Sequence, residues 1–129
     1  MNKLEKESVI GISALLVHAA RIDEIYSEHE KDLIKSFIKS YLKDDDINET
    51  LKKAEEIESN SNQLLSFTNI IKQNTMVIKK DIVEHLWKVI ISDNTVDQYE
   101  SNLMRRICGL IYFPDKECAE IKLRLINTK

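Results

Sequence analysis

Two stretches decide how the chain is read: Asp23-Glu-Ile-Tyr26-Ser27-Glu-His-Glu30 and Asp93-Asn-Thr-Val96-Asp97-Gln-Tyr-Glu100. They lie seventy residues apart and share the pattern Asp, two residues, an apolar residue, Ser or Asp, two residues, Glu. The same offset carries Ile12 onto Ile82, Leu16 onto Leu86, Leu33 onto Leu103, Ile34 onto Met104, Phe37 onto Ile107 and Tyr41 onto Ile111. Each copy joins an apolar helix to an amphipathic one. The expected architecture is therefore an all-α bundle in which two helical hairpins, related as a pseudo-repeat, bury their apolar helices against each other.

Working outward from the two turns, apolar residues recur at helical spacing. From about Leu4 to Ala20 they surround the helix, which marks it as central and buried. Leu33, Ile34, Phe37, Ile38, Tyr41 and Leu42 stripe a second helix. Asp46-x-x-Glu49 is a capping box opening a third, with Ile47, Leu51, Ala54 and Ile57 expected to face inward. Glu58-Ser-Asn-Ser-Asn reads as a loop. A short helix holds Leu64, Leu65, Phe67, Ile70 and Ile71. Thr75 caps a fifth that runs to about Ile91, with Ile78, Ile82, Leu86, Val89 and Ile90 inward. A sixth starts near Asp97, and Pro114 suits the first turn of a seventh. Phe37 and Trp87 read as core. No segment alternates long enough for a strand. The 129 residues form one domain of about seven helices, spanning 1–129.

Composition removes several function classes. With 2 glycines and 1 proline, the chain has no glycine-rich phosphate loop. Its 19 basic and 22 acidic side chains give a net charge of −3 and no basic stripe, which argues against nucleic acid. The N-terminal residues lack a secretory pattern, and the apolar stretch Val9–Ala20 is too short to span a bilayer, so a cytoplasmic protein without membrane insertion is expected. In that compartment Cys108 and Cys118 are expected as reduced thiols, and their spacing is not a zinc pattern. The Glu-x-x-His motif of di-iron bundles is absent. His29-Glu30 begins a His-Glu-x-x-His pattern, but Leu33 stands at its last position. His18, His29 and His85 read as ordinary surface or half-buried residues, although His29 is close enough in sequence to join Asp23 at a metal.

The acidic turns have two physical accounts. Ser27-x-x-Glu30 and Asp97-x-x-Glu100 are capping boxes, with Tyr26 and Val96 placed as hydrophobic staples. Capping does not explain Asp23 and Asp93, which fall at helix C-termini, where the dipole disfavours an anion. They need an offset: an Arg such as Arg21 or Arg105, a turn N–H, or a cation. In the second account Asp23, Glu30, Asp93, Asp97 and Glu100 form an oxygen-rich site for a hard divalent cation, Ca²⁺, Mg²⁺ or Mn²⁺. Neither turn is an EF-hand, because Ile34 and Met104 stand where the bidentate Glu is required. On spacing alone the capping account is the stronger.

Asp93-x-x-Val96-Asp97-x-Tyr99-Glu100, continuing through Leu103-Met104-Arg105-Arg106-Ile107, resembles the signature of TerB-like proteins, as does Leu15-Leu16-Val17-His18-Ala19-Ala20-Arg21-Ile22-Asp23. This family includes tellurite-resistance proteins and the N-terminal domain of the DjlA co-chaperone. The resemblance covers about Glu7 to Arg124. It implies a bundle of about seven helices on a pseudo-repeat, a stress-associated role without an established biochemical activity, and acidic residues suspected of holding metal. The family's turns carry Asp-Gly, whereas here the glycine positions are Glu24 and Asn94; Asn tolerates a left-handed conformation more readily than Glu. Ser27 stands where many relatives have Asp, which makes the first turn the weaker ligand set. The leading expectation is a non-enzymatic module that binds a divalent cation. The rivals are a metal-free adaptor for another protein and a carboxylate-metal hydrolase.

Overall fold

The computed structural model describes residues 4–21, 26–42, 46–60, 65–91 and 98–127. Its elements are α1 (Lys6–Arg21), α2 (Glu28–Tyr41), α3 (Ile47–Asn60), α4 (Leu65–Lys72), α5 (Met76–Ile91), α6 (Gln98–Leu110) and α7 (Asp115–Asn127). Among the described residues there is no strand, and no helix is long and apolar enough to cross a membrane.

The all-round apolar character of α1 dictates its place. Val9, Ile12, Leu15, Leu16 and Val17 point to different sides of the helix and all are fully buried, so α1 has to be walled on every side. It packs on α2, α3, α4 and α5. Gly11 is what lets α4 close in: a Cβ there would collide with the Ile70 side chain. Helix α5 is the second hub and carries α7 on its far side. Burial repeats at the seventy-residue offset: Ile12 and Ile82, Leu16 and Leu86, Ile34 and Met104, and Phe37 and Ile107 are all buried. The two apolar helices do pack on each other. Beyond that the packing departs from a twofold, since α2 rests on α1, α3 and α5 while α6 rests on α4, α5 and α7.

The helix ends follow local chemistry. Asp46 Oδ1 accepts from the Asn48 and Glu49 N–H groups at 3.0 and 3.2 Å, and Thr75 Oγ1 from Ile78 N–H at 3.4 Å. Helix α6 ends in a Schellman turn, with Phe113 N–H bonded to the Cys108 carbonyl at 2.8 Å and Tyr112 N–H directed at that of Gly109 at 3.4 Å. Tyr112 takes the left-handed position, φ 59°, where glycine would be unstrained. Its exposed ring lies under the Lys72 ammonium, 4.9 Å from the ring centroid.

Three expectations need correction. Ile57 is 42% exposed, because α3 turns only Thr50, Leu51 and Ala54 fully into the core. Glu58, Ser59 and Asn60 are helical, since α3 runs past the start of the loop signal to meet the end of α1. Pro114 sits one residue before α7, its carbonyl accepting the Cys118 N–H at 3.0 Å.

Ser13 is fully buried in α1, and its hydroxyl has no hydrogen-bond partner among the described residues. A desolvated, unpaired hydroxyl is costly, and Ala is the better helix former. Ser13→Ala should therefore stabilise the protein by about 1 kcal/mol, read as a higher urea midpoint at unchanged slope.

Candidate functional site

The first acidic turn leads into α2 through a complete capping box. Ser27 Oγ accepts the Glu30 N–H at 3.2 Å, and Glu30 Oε1 accepts the Ser27 N–H at 2.8 Å. The Ser27 hydroxyl lies 3.1 Å from the same carboxylate oxygen. Glu30 is buried, and so is Glu100, which holds the same third position of α6. A carboxylate is rarely buried without compensation. The N-terminal helix dipole supplies part of it at both positions. Tyr26 precedes the cap as expected for a staple, but what meets its ring is the Lys31 ammonium, 5.0 Å from the centroid.

Polar side chains from α1 and α3 gather beside this cap. Glu58, near the end of α3, accepts from Arg21 and lies 3.2 Å from His18 Nδ1. Arg21 also reaches Ser59 Oγ at 2.9 Å and lies over the Tyr26 ring, 5.1 Å from its centroid. The Tyr26 hydroxyl donates to Glu55 Oε2 at 2.6 Å. Burial raises the Tyr26 phenol well above its ordinary range, and the Glu55 hydrogen bond raises it further. The phenol therefore stays protonated and donates to Glu55. Arg21 occupies the last turn of α1, where a cation suits the dipole.

Helix α2 is locked to α5 by a second group. The Tyr41 hydroxyl donates to Asp81 Oδ2 at 2.6 Å, and the Phe37 ring meets His85 edge-on at 5.2 Å between centroids. His85 Nδ1 lies 2.8 Å from the Asp81 carbonyl oxygen and 3.4 Å from Oδ1. Hydrogen bonding from His85 holds the Asp81 carboxyl below its ordinary range; burial opposes this, and the Tyr41 hydroxyl adds to it. Because Tyr41 pairs with Asp81 and Phe37 with His85, α2 and α5 run antiparallel. The Ser27–Glu30 end of α2 and the Ile91 end of α5 thus face the same end of the bundle, and the close of α3 lies there too, at Arg21 and His18.

Of the expected ligands, Asp23, Asp93 and Asp97 lie outside the described residues, as do Glu24, Asn94 and the cap role given to Asp97. Glu30 and Glu100 are described and buried. His29 is exposed on the first turn of α2. Among the described residues no three His, Cys, Asp or Glu side chains form a group that would hold a metal ion.

A feature not foreseen in the sequence lies where α5, α6 and α7 meet. Cys108 and Cys118 are free, buried thiols. The Trp87 indole N–H donates to the Cys118 carbonyl at 3.1 Å and to its Sγ at 3.3 Å. Cys118 lines a cleft of about 370 Å³ with Met104, Asp115 and Lys122. The only available signal was the helix break at Pro114 between two cysteines ten residues apart, which folds one back toward the other.

Two outcomes follow from this geometry. Ser27→Ala should cost about 1 kcal/mol through loss of the cap, seen as a lower denaturation midpoint. The folded Asp81 carboxyl titrates below its unfolded value, so its contribution is complete above about pH 4 and is lost as the pH falls through the folded value. Asp81→Asn should lower stability at neutral pH and make it fall less steeply below pH ~4, measured by denaturant titrations across the acid range.

The profile of the family described as tellurite resistance protein TerB matches residues 10–123. No curated protein and no solved structure matches the chain.

Proposed function

The chain belongs to the TerB family, and from that premise we propose that it is a non-enzymatic, cytoplasmic, stress-associated helical module, tied to tellurite resistance, that binds a divalent cation at the acidic end of the bundle. The supporting observation is the antiparallel pairing of α2 with α5. It turns the end of α5, where the chain leaves toward Asp93 and Asp97, to the same side as the capped start of α2. Carboxylate oxygens suit Ca²⁺, Mg²⁺ or Mn²⁺, and the chain supplies them from Asp23, Glu30, Asp93, Asp97 and Glu100. Glu30 already commits Oε1 to Ser27, so in this reading the aspartates carry most of the coordination and the two buried glutamates shape the turns.

A second reading has its own observation. Leu123 and Ile126 lie one turn apart on α7 and are 57% and 40% exposed. An adaptor that docks another protein through α7 would use them.

A thermal melt separates the two. In the cation reading, millimolar Ca²⁺ or Mn²⁺ raises the wild-type melting temperature by mass action. Asp93→Asn keeps the side chain's shape, removes its charge, and should abolish that shift while leaving the metal-free melt nearly unchanged. A wild-type melt that no divalent cation moves would overturn the cation reading in favour of the adaptor.

A further inference from the structure

The cleft between α6 and α7 measures about 370 Å³, within the size range of small-molecule sites. Its walls follow from helical spacing. On α6 the lining residues Met104 and Arg105 lie one turn beyond Ser101, and on α7 Asp115, Ala119 and Lys122 lie about one turn apart in succession. One face of each helix is thus turned to the cleft. Trp87, from α5, is buried and lines it as well. Its indole N–H is already given to the Cys118 carbonyl and Sγ, so Trp87 offers the cleft ring surface and no donor.

The charges of the lining are unbalanced. Arg105 and Lys122 enter from opposite helices against a single carboxylate, Asp115. Among the described residues neither cation has an ion pair, whereas Arg124, two residues beyond Lys122, is held by Glu84 at 2.6 Å. The Lys122 ammonium rests over the Trp87 ring instead, 5.3 Å from its centroid.

We propose that this cleft binds a small aromatic carboxylate, with the carboxylate between Arg105 and Lys122 and the ring against Trp87, Met104 and Ala119. The Arg105 guanidinium presents parallel donors that match both carboxylate oxygens, and Lys122 adds a mobile point charge. To reach the ligand, Lys122 exchanges a cation–π contact for a charge-assisted hydrogen bond, which is the stronger interaction. The same movement uncovers the Trp87 ring, whose flat surface suits an aromatic body. Two cations and Asp115 leave one net positive charge, which matches one carboxylate. The site uses none of the residues of the acidic turns, so it stands or falls apart from the cation reading.

Trp87 is the only tryptophan of the chain, so one indole signal in a nitrogen–proton correlation spectrum of the labelled protein reports on the cleft. The probe is benzoate. Benzyl alcohol carries the ring without the charge, and acetate the charge without the ring. Benzoate should move the indole signal saturably, and each of the other two should bind at least roughly tenfold more weakly, having lost one of the two contacts. This comparison needs only the wild type. Arg105→Gln and Lys122→Gln should each weaken benzoate roughly threefold or more, and the double variant should lose the saturable shift. Lys80→Gln removes a cation from α5 outside this cleft and should leave the affinity unchanged. The proposal is overturned if about 10 mM benzoate leaves the indole signal in place, if benzyl alcohol binds as tightly as benzoate, or if Lys80→Gln weakens benzoate as much as the cleft variants do.

Discussion

Helix α1 is a core with a backbone running through it. Ten of its sixteen residues are buried, spread around the whole circumference. Such a helix cannot lie on a surface; burying a Leu or Ile side chain contributes roughly 1.5–3 kcal/mol, and exposing any face would forfeit several of these. The neighbouring helices are positioned by that demand. Their own apolar stripes are narrower, and their outer faces carry the charge: Glu28, Lys35, Glu49, Lys53 and Glu56 are all exposed or half-exposed on α2 and α3. Gly11 matters for the same reason, because the Ile70 side chain of α4 fills the space a Cβ would take there.

Once α1 is enclosed, direction is set by polar contacts at its periphery. Apolar burial alone does not say which way a helix runs. The Tyr41–Asp81 hydrogen bond and the Phe37–His85 ring contact fix α2 antiparallel to α5, while Arg21 and His18 on Glu58 hold the close of α3 to the close of α1. These interactions are worth little individually: Arg21 is about a third exposed, and pairs of that kind contribute at most about 1 kcal/mol. Their effect is on arrangement. They gather the start of α2 and the ends of α1, α3 and α5 at one end of the bundle, where the chain's two acidic turns depart.

The helices were legible because their signals are local. Apolar spacing located α1, α2, α5 and α6 in the right order, and Ser27, Asp46 and Thr75 were readable as caps because a cap needs only a side-chain oxygen three residues from an N–H. The misreadings are those in which a distant partner overrides the local signal. Glu58 looked like the start of a loop, yet it is helical and pairs with Arg21, thirty-seven residues earlier. Ile57 has the spacing of a core residue, yet among the described residues it is left 42% exposed. The meaning of Glu30 was half legible: its capping bond is sequence-local, while its burial depends on how the bundle closes over the start of α2.

The seventy-residue repeat shows where sequence similarity stops determining packing. Four of the six matched apolar pairs are buried in both halves, while Leu33 and Tyr41 are only half-buried where Leu103 and Ile111 are buried. Their surroundings differ because α4 stands between the halves and has no counterpart. It packs on both α1 and α6. The second half then covers α5 with α7, and at that junction Trp87 turns its indole N–H to Cys118 where the first half has Val17 in the equivalent position. An aromatic donor in place of a valine, beside Cys118, gives the second half a polar, sulfur-lined cleft at this junction. The chemistry peculiar to this chain thus arises at the junction of α5, α6 and α7, where the packing of the second half departs from that of the first.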